Sequence, residues 1–86
     1  MNHPSRLTTL STVDQLKDKI LEALPGACVQ VSGGGGHFTI AVEVSQFEGK
    51  NTLAKQRLVY SAIKNLMAGN DAPVHAVDSL TTTIPG

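Results

Sequence analysis

The residues from His37 to Val44 (HFTIAVEV) alternate without a break. Phe38, Ile40, Val42 and Val44 fall on one side of an extended chain, and His37, Thr39, Ala41 and Glu43 on the other. Successive side chains of a strand project to opposite faces, so this run has one face for a core and one for solvent. An antiparallel sheet covered on one side has this pattern. Just upstream, Ala27 to Ser32 (ACVQVS) is a shorter strand, with Val29 and Val31 on one face and Cys28 and Gln30 on the other. Gly33 to Gly36 lies between the two. A glycine run between strand patterns reads as a flexible hairpin loop.

Helical patterns flank the hairpin. Val13, Leu16, Ile20 and Leu24 form one stripe, with Asp14, Lys17, Asp18 and Glu22 turned away, which predicts a helix over 13–24. Thr12 and Gln15 fit the S/T-x-x-E/Q capping box, Asp14 suits the helix dipole, and Pro25-Gly26 stops the helix. Phe47-Glu48-Gly49-Lys50 reads as a turn. Asn51 or Thr52 then caps a second helix reaching about Ala68, with room for a break near its first turn. Its apolar stripe is Val59, Ala62, Ile63, Leu66 and Met67, and Gly69-Asn70-Asp71 ends it. Ala72-Pro73 leads into a last strand from Val74 to about Thr81. A strand returning through a helical crossover joins its sheet parallel to a neighbour. The predicted order is α-β-β-α(α)-β, an α+β fold with a three-stranded mixed sheet and helices packed on one face.

A chain of 86 residues fits one small domain. It buries only about 60–65% of its unfolded surface. Residues 1–11, with His3 and Pro4, read as a polar, disordered lead-in to a domain over 12–86. No apolar run nears the roughly 20 residues that span a bilayer, and the N-terminus lacks the apolar stretch of a secretory signal. A single cysteine, Cys28, builds no disulfide framework, so a reducing cytoplasm is expected. Seven basic and seven acidic residues balance, which argues against nucleic-acid binding through bulk charge.

No catalytic set stands out. There is no nucleophile elbow, and a turn separates Glu43 from Glu48. The glycines open a strand rather than a helix, so they do not make a phosphate cradle. No zinc spacing links the three histidines and Cys28. His75, after Pro73, reads either as a strand histidine at an exposed sheet end or as a metal ligand or interface residue. His37, where the glycines enter the second strand, reads either as a solvated strand residue or as a second ligand. Cys28 reads as a small semi-buried thiol. Lys50, Lys55, Arg57 and Lys64 are four of the seven basic residues, and no acid lies between Lys50 and Asn70. That locally basic helix is either a solvated face or a surface for an acidic partner or nucleic acid. Phe38, Phe47 and Tyr60 are the only aromatics, too few for stacking on single-stranded bases.

Several of these pieces occur together in one known family. His37-Phe38, Val44-Ser45-Gln46-Phe47-Glu48-Gly49-Lys50, Leu53, Gln56-Arg57-Leu58-Val59-Tyr60, Val74-His75-Ala76-Val77 and Thr83-Ile84-Pro85 resemble the BolA family, most closely its YrbA/IbaG branch. The resemblance covers roughly residues 13–85. It implies an αββααβ fold similar to a class II KH domain, without the G-x-x-G loop that clamps RNA. It implies a non-enzymatic partner of monothiol CGFS-type glutaredoxins, monomeric or weakly dimeric alone and with no membrane partner. The two proteins would share a bridging [2Fe–2S] cluster, absent from the isolated chain, in iron–sulfur trafficking or iron sensing. By the same resemblance His75, in the V/I-H-A motif, is a cluster ligand. A histidine or cysteine of the hairpin loop supplies a second ligand in the family. Here the loop is all glycine, and His37 at its end is the nearby candidate. Lys55-Gln56-Arg57 stands where many members have R-H-R, and the YrbA-like branch shares this loss of the histidine. Thr83-Ile84-Pro85-Gly86 stands where many members continue with T-P-x-E-W and a short helix. Some members are described as stress-response regulators of transcription that bind DNA through the helix after F-x-G-K. For this chain that helix carries Lys50, Lys55, Arg57 and Lys64.

Overall fold

The computed structural model describes residues 11–86; the lead-in through Leu10, with His3 in it, lies outside the described residues. The first helix, α1, runs over Thr12–Ala23. Its N-cap is Ser11 rather than Thr12. Ser11 has extended backbone (φ −66°, ψ 160°), and its Oγ accepts the Asp14 N–H at 3.1 Å. Its carbonyl accepts the Gln15 N–H at 2.9 Å. Thr12 already has helical geometry and cannot reach back to cap. The stripe falls as its spacing requires: Leu16, Ile20 and Leu24 are buried and Val13 packs against them.

Strand β1 spans Cys28–Gly34 and β2 spans His37–Glu43, paired antiparallel from Cys28↔Glu43 to Gly34↔His37. Half of the glycine run, Gly33 and Gly34, is therefore strand. Only Gly35 and Gly36 turn, with φ of 62° and 87°. Positive φ at both central residues marks the two-residue type I′ turn, whose twist matches that of the strands it joins. The expected flexible loop is a tight turn.

After Val44 the chain makes a 3₁₀ turn, Ser45–Phe47, which drives Phe47 fully into the core. The chain reverses at Gly49, and Asn51 caps helix α2, Thr52–Met67, by accepting the Ala54 N–H at 2.8 Å. The second helical element of the crossover is thus one unbroken helix, and the first is that single 3₁₀ turn. Val59 and Ile63 are buried, with Leu58, Ala62, Leu66 and Met67 packed beside them.

Strand β3, Ala76–Thr83, begins and ends two residues later than its apolar pattern implied and pairs parallel to β2. The sheet order is β1-β2-β3, so β2 is the central strand. Its apolar face of Phe38, Ile40 and Val42 meets both helices, and its other face is open. The result is the mixed three-stranded sheet with helices on one face. Among the described residues no helix is long and apolar enough to cross a membrane. Replacing the cap separates the two candidate starts of α1. Ser11→Ala should lower the unfolding free energy by about 1 kcal/mol. Thr12→Ala should change it far less, both read from urea denaturation midpoints.

Candidate functional site

The candidate site is built where β2 and β3 both begin. Gly36 is the last residue of the hairpin turn, and it is buried. Its carbonyl accepts two backbone donors, the N–H of His75 at 2.8 Å and that of Ala76 at 3.0 Å. These bonds clamp the turn to the entry of β3 and set the register that pairs His37 with Ala76. On the other side Val74 is 1% exposed, and its N–H bonds the Leu66 carbonyl near the end of α2 at 3.1 Å. His75 is therefore held between a core residue and a tight turn.

The ring of His75 rests on Gly36. A Cβ added at Gly36 would collide with Cδ2 of that ring and lie 2.9 Å from Cγ and 3.2 Å from Nε2. The missing side chain leaves the space that the imidazole occupies. The Cδ2 edge faces the turn, and Nδ1 and Cε1 lie on the far side. The residue is solvent-exposed, and no group among the described residues bonds its ring nitrogens. His37 stands on the neighbouring strand, also exposed, with Nδ1 3.2 Å from Asp78 Oδ1. Both histidines thus sit at one end of the sheet. Among the described residues no group of three or more His, Cys, Asp or Glu side chains is placed to hold a metal ion.

Asp78 was not legible as a site residue, though the sequence carried a signal for it. Val77 and Leu80 are three positions apart, yet both pack against the core. Strict alternation cannot put both on one face. The register shows how it is done: Phe38 pairs with Val77 and Thr39 with Ser79, leaving Asp78 as the extra residue of a β-bulge.

Cys28 pairs with Glu43 at the opposite end of the sheet, about 20 Å from His37 at strand rise. Its thiol is exposed, not semi-buried, because the face opposite Val29 carries no helix. The basic residues also lie apart. Lys50 precedes α2 and His75 follows its end, about 24 Å along a 16-residue helix. Lys50, Arg57 and Lys64 are exposed and Lys55 is half-buried. Spacing of four, three and four places Leu53, Arg57, Tyr60 and Lys64 along one side of the helix. Leu53 is 55% exposed and Tyr60 37%, so the cations alternate with bare apolar groups. A shallow cleft at the helix start is lined by Lys50, Leu53, Ala54 and Arg57.

Gly36→Ala tests the seat of His75. A left-handed φ costs a non-glycine residue about 1–2 kcal/mol. The variant should lose at least that much stability and shift the His75 ring resonances. Gly35→Asn has no neighbouring atom within 4 Å of the added carbon, and should leave His75 in place.

The family model described as BolA-like protein matches residues 15–85. An Acinetobacter guillouiae relative, described as an uncharacterized protein in the rpoN-murA intergenic region, is 38% identical over 64 residues, covering 74% of this chain and 75% of its own. The structure of a bolA protein homologue from Coxiella burnetii superposes with a TM-score of 0.72 at 34% identity, over 88% of this chain and 94% of that one. BolA1 from Arabidopsis thaliana has the same fold, with a TM-score of 0.75 at 20% identity over 90% and 95% of the two chains.

Proposed function

The chain belongs to the BolA-like protein family, and on that premise we propose that it is a non-enzymatic partner of a monothiol CGFS glutaredoxin. The pair would share a bridging [2Fe–2S] cluster as cargo in iron–sulfur trafficking or iron sensing. The observation that carries this reading is the seat of His75: an exposed imidazole fixed against Gly36, with His37 at the start of the adjacent strand. A [2Fe–2S] centre takes four ligands, and imidazole in place of thiolate on one iron raises its potential. Two imidazoles at one sheet end suit a centre whose remaining ligands come from a partner's thiolates. His75 would be the principal ligand and His37 the second.

Titration of this protein into a cluster-loaded monothiol glutaredoxin tests the proposal. The visible circular dichroism should change and saturate near one equivalent, and the change should be lost or altered with His75→Ala. An unchanged spectrum with the intact protein overturns the reading.

The absence of any acidic residue between Lys50 and Asn70 favours a second reading, a DNA-binding regulator using Lys50, Lys55, Arg57 and Lys64. Four phosphate contacts correspond to a log–log salt slope of about −3.6. Fluorescence anisotropy on duplex DNA should give that slope. Lys50→Ala combined with Arg57→Ala should reduce its magnitude by about 1.8. Binding indifferent to both changes removes this reading.

A further inference from the structure

The β-bulge at Asp78 has a chemical consequence as well as a packing one. It returns Leu80 to the core, and it also leaves a carboxylate beside His37. Both side chains are largely exposed, at 61% and 57%, so the contact adds little to stability. Its effect falls on the position of one proton.

An ionised carboxylate only accepts hydrogen bonds. A neutral His37 whose Nδ1 lies 3.2 Å from Asp78 Oδ1 therefore carries its proton on Nδ1. Its lone pair is then on Nε2. In water the neutral histidine side chain prefers the opposite tautomer, with the proton on Nε2 and the lone pair on Nδ1. We infer that Asp78 is a positioning residue: it fixes the tautomer and orientation of His37 so that Nε2 is the nitrogen available to a metal. A carboxylate behind a ligating imidazole acts this way in metal sites generally. The link to a metal rests on the reading of His37 as a ligand; the tautomer itself does not.

Long-range ¹⁵N–¹H spectra of the imidazole rings test this on the isolated protein at about pH 8.5, where histidine is neutral. His37 should be mainly Nδ1–H in the unaltered protein and mainly Nε2–H in Asp78→Ala. Asp78→Glu, also a pure acceptor, should restore part of the Nδ1–H population. A His37 that is mainly Nε2–H in the unaltered protein, or a tautomer ratio unmoved by Asp78→Ala, overturns the inference. The glutaredoxin titration separates the two layers. If His37→Ala leaves the cluster spectrum unchanged while Asp78→Ala still reverses the tautomer, the ligand reading fails and the positioning role stands. If the spectrum responds to His37→Ala but the tautomer is indifferent to Asp78, the positioning role fails and the ligand reading stands.

Discussion

One carbonyl oxygen, that of Gly36, ties the two halves of the sheet together. It accepts from both His75 and Ala76, so the hairpin turn and the parallel strand share a single anchor. The hairpin is local in sequence, whereas the contact with His75 closes a loop of nearly forty residues that includes all of α2. Until that loop closes, β2 has one neighbour and the helices have no complete face to cover. The bond therefore fixes the register of β3 and the placement of His75 together. Both are set by the main chain.

Much of the architecture was legible because β2 alternates so strictly. Phe38, Ile40 and Val42 could only face a core, and α1 and α2 carried matching stripes. What escaped was decided by backbone dihedrals and register. Thr12 fits a capping pattern, but Ser11 takes the extended backbone a cap needs. Gly33 and Gly34 look like loop, yet they pair with Phe38 and His37 because a two-residue turn suffices. The sequence leaves room for a helical break near the start of α2, and a 3₁₀ turn before it takes that place, burying Phe47. His75 and His37 were legible as candidates, but their shared end of the sheet depends on the parallel register. Asp78 escaped, despite the three-residue spacing of Val77 and Leu80, because a bulge displaces it from the face that simple alternation assigns.

The candidate residues divide between two regions. The histidines mark one end of the sheet, and the cations gather toward the far end of α2, with Lys64 nearest the histidines along the helix. Leu53 and Tyr60 interrupt the cations at regular intervals. A phosphate backbone offers nothing apolar to such a side, whereas an acidic protein surface with a few apolar groups would match it. A glutaredoxin and a duplex would therefore make different demands on α2, even where they touched the same lysines.

The tight turn has a thermodynamic consequence. A long mobile loop that delivers a ligand must be ordered on association, at about 1–2 kcal/mol per residue for the backbone alone. Here Gly35 and Gly36 are already locked by the hairpin, and His75 is seated on the second of them. The histidine end of the sheet is thus preorganised, and were a partner to dock there the configurational entropy of binding would fall mainly on the other molecule. Affinity differences among partners would then follow their own stiffness more closely than any adjustment made by this protein.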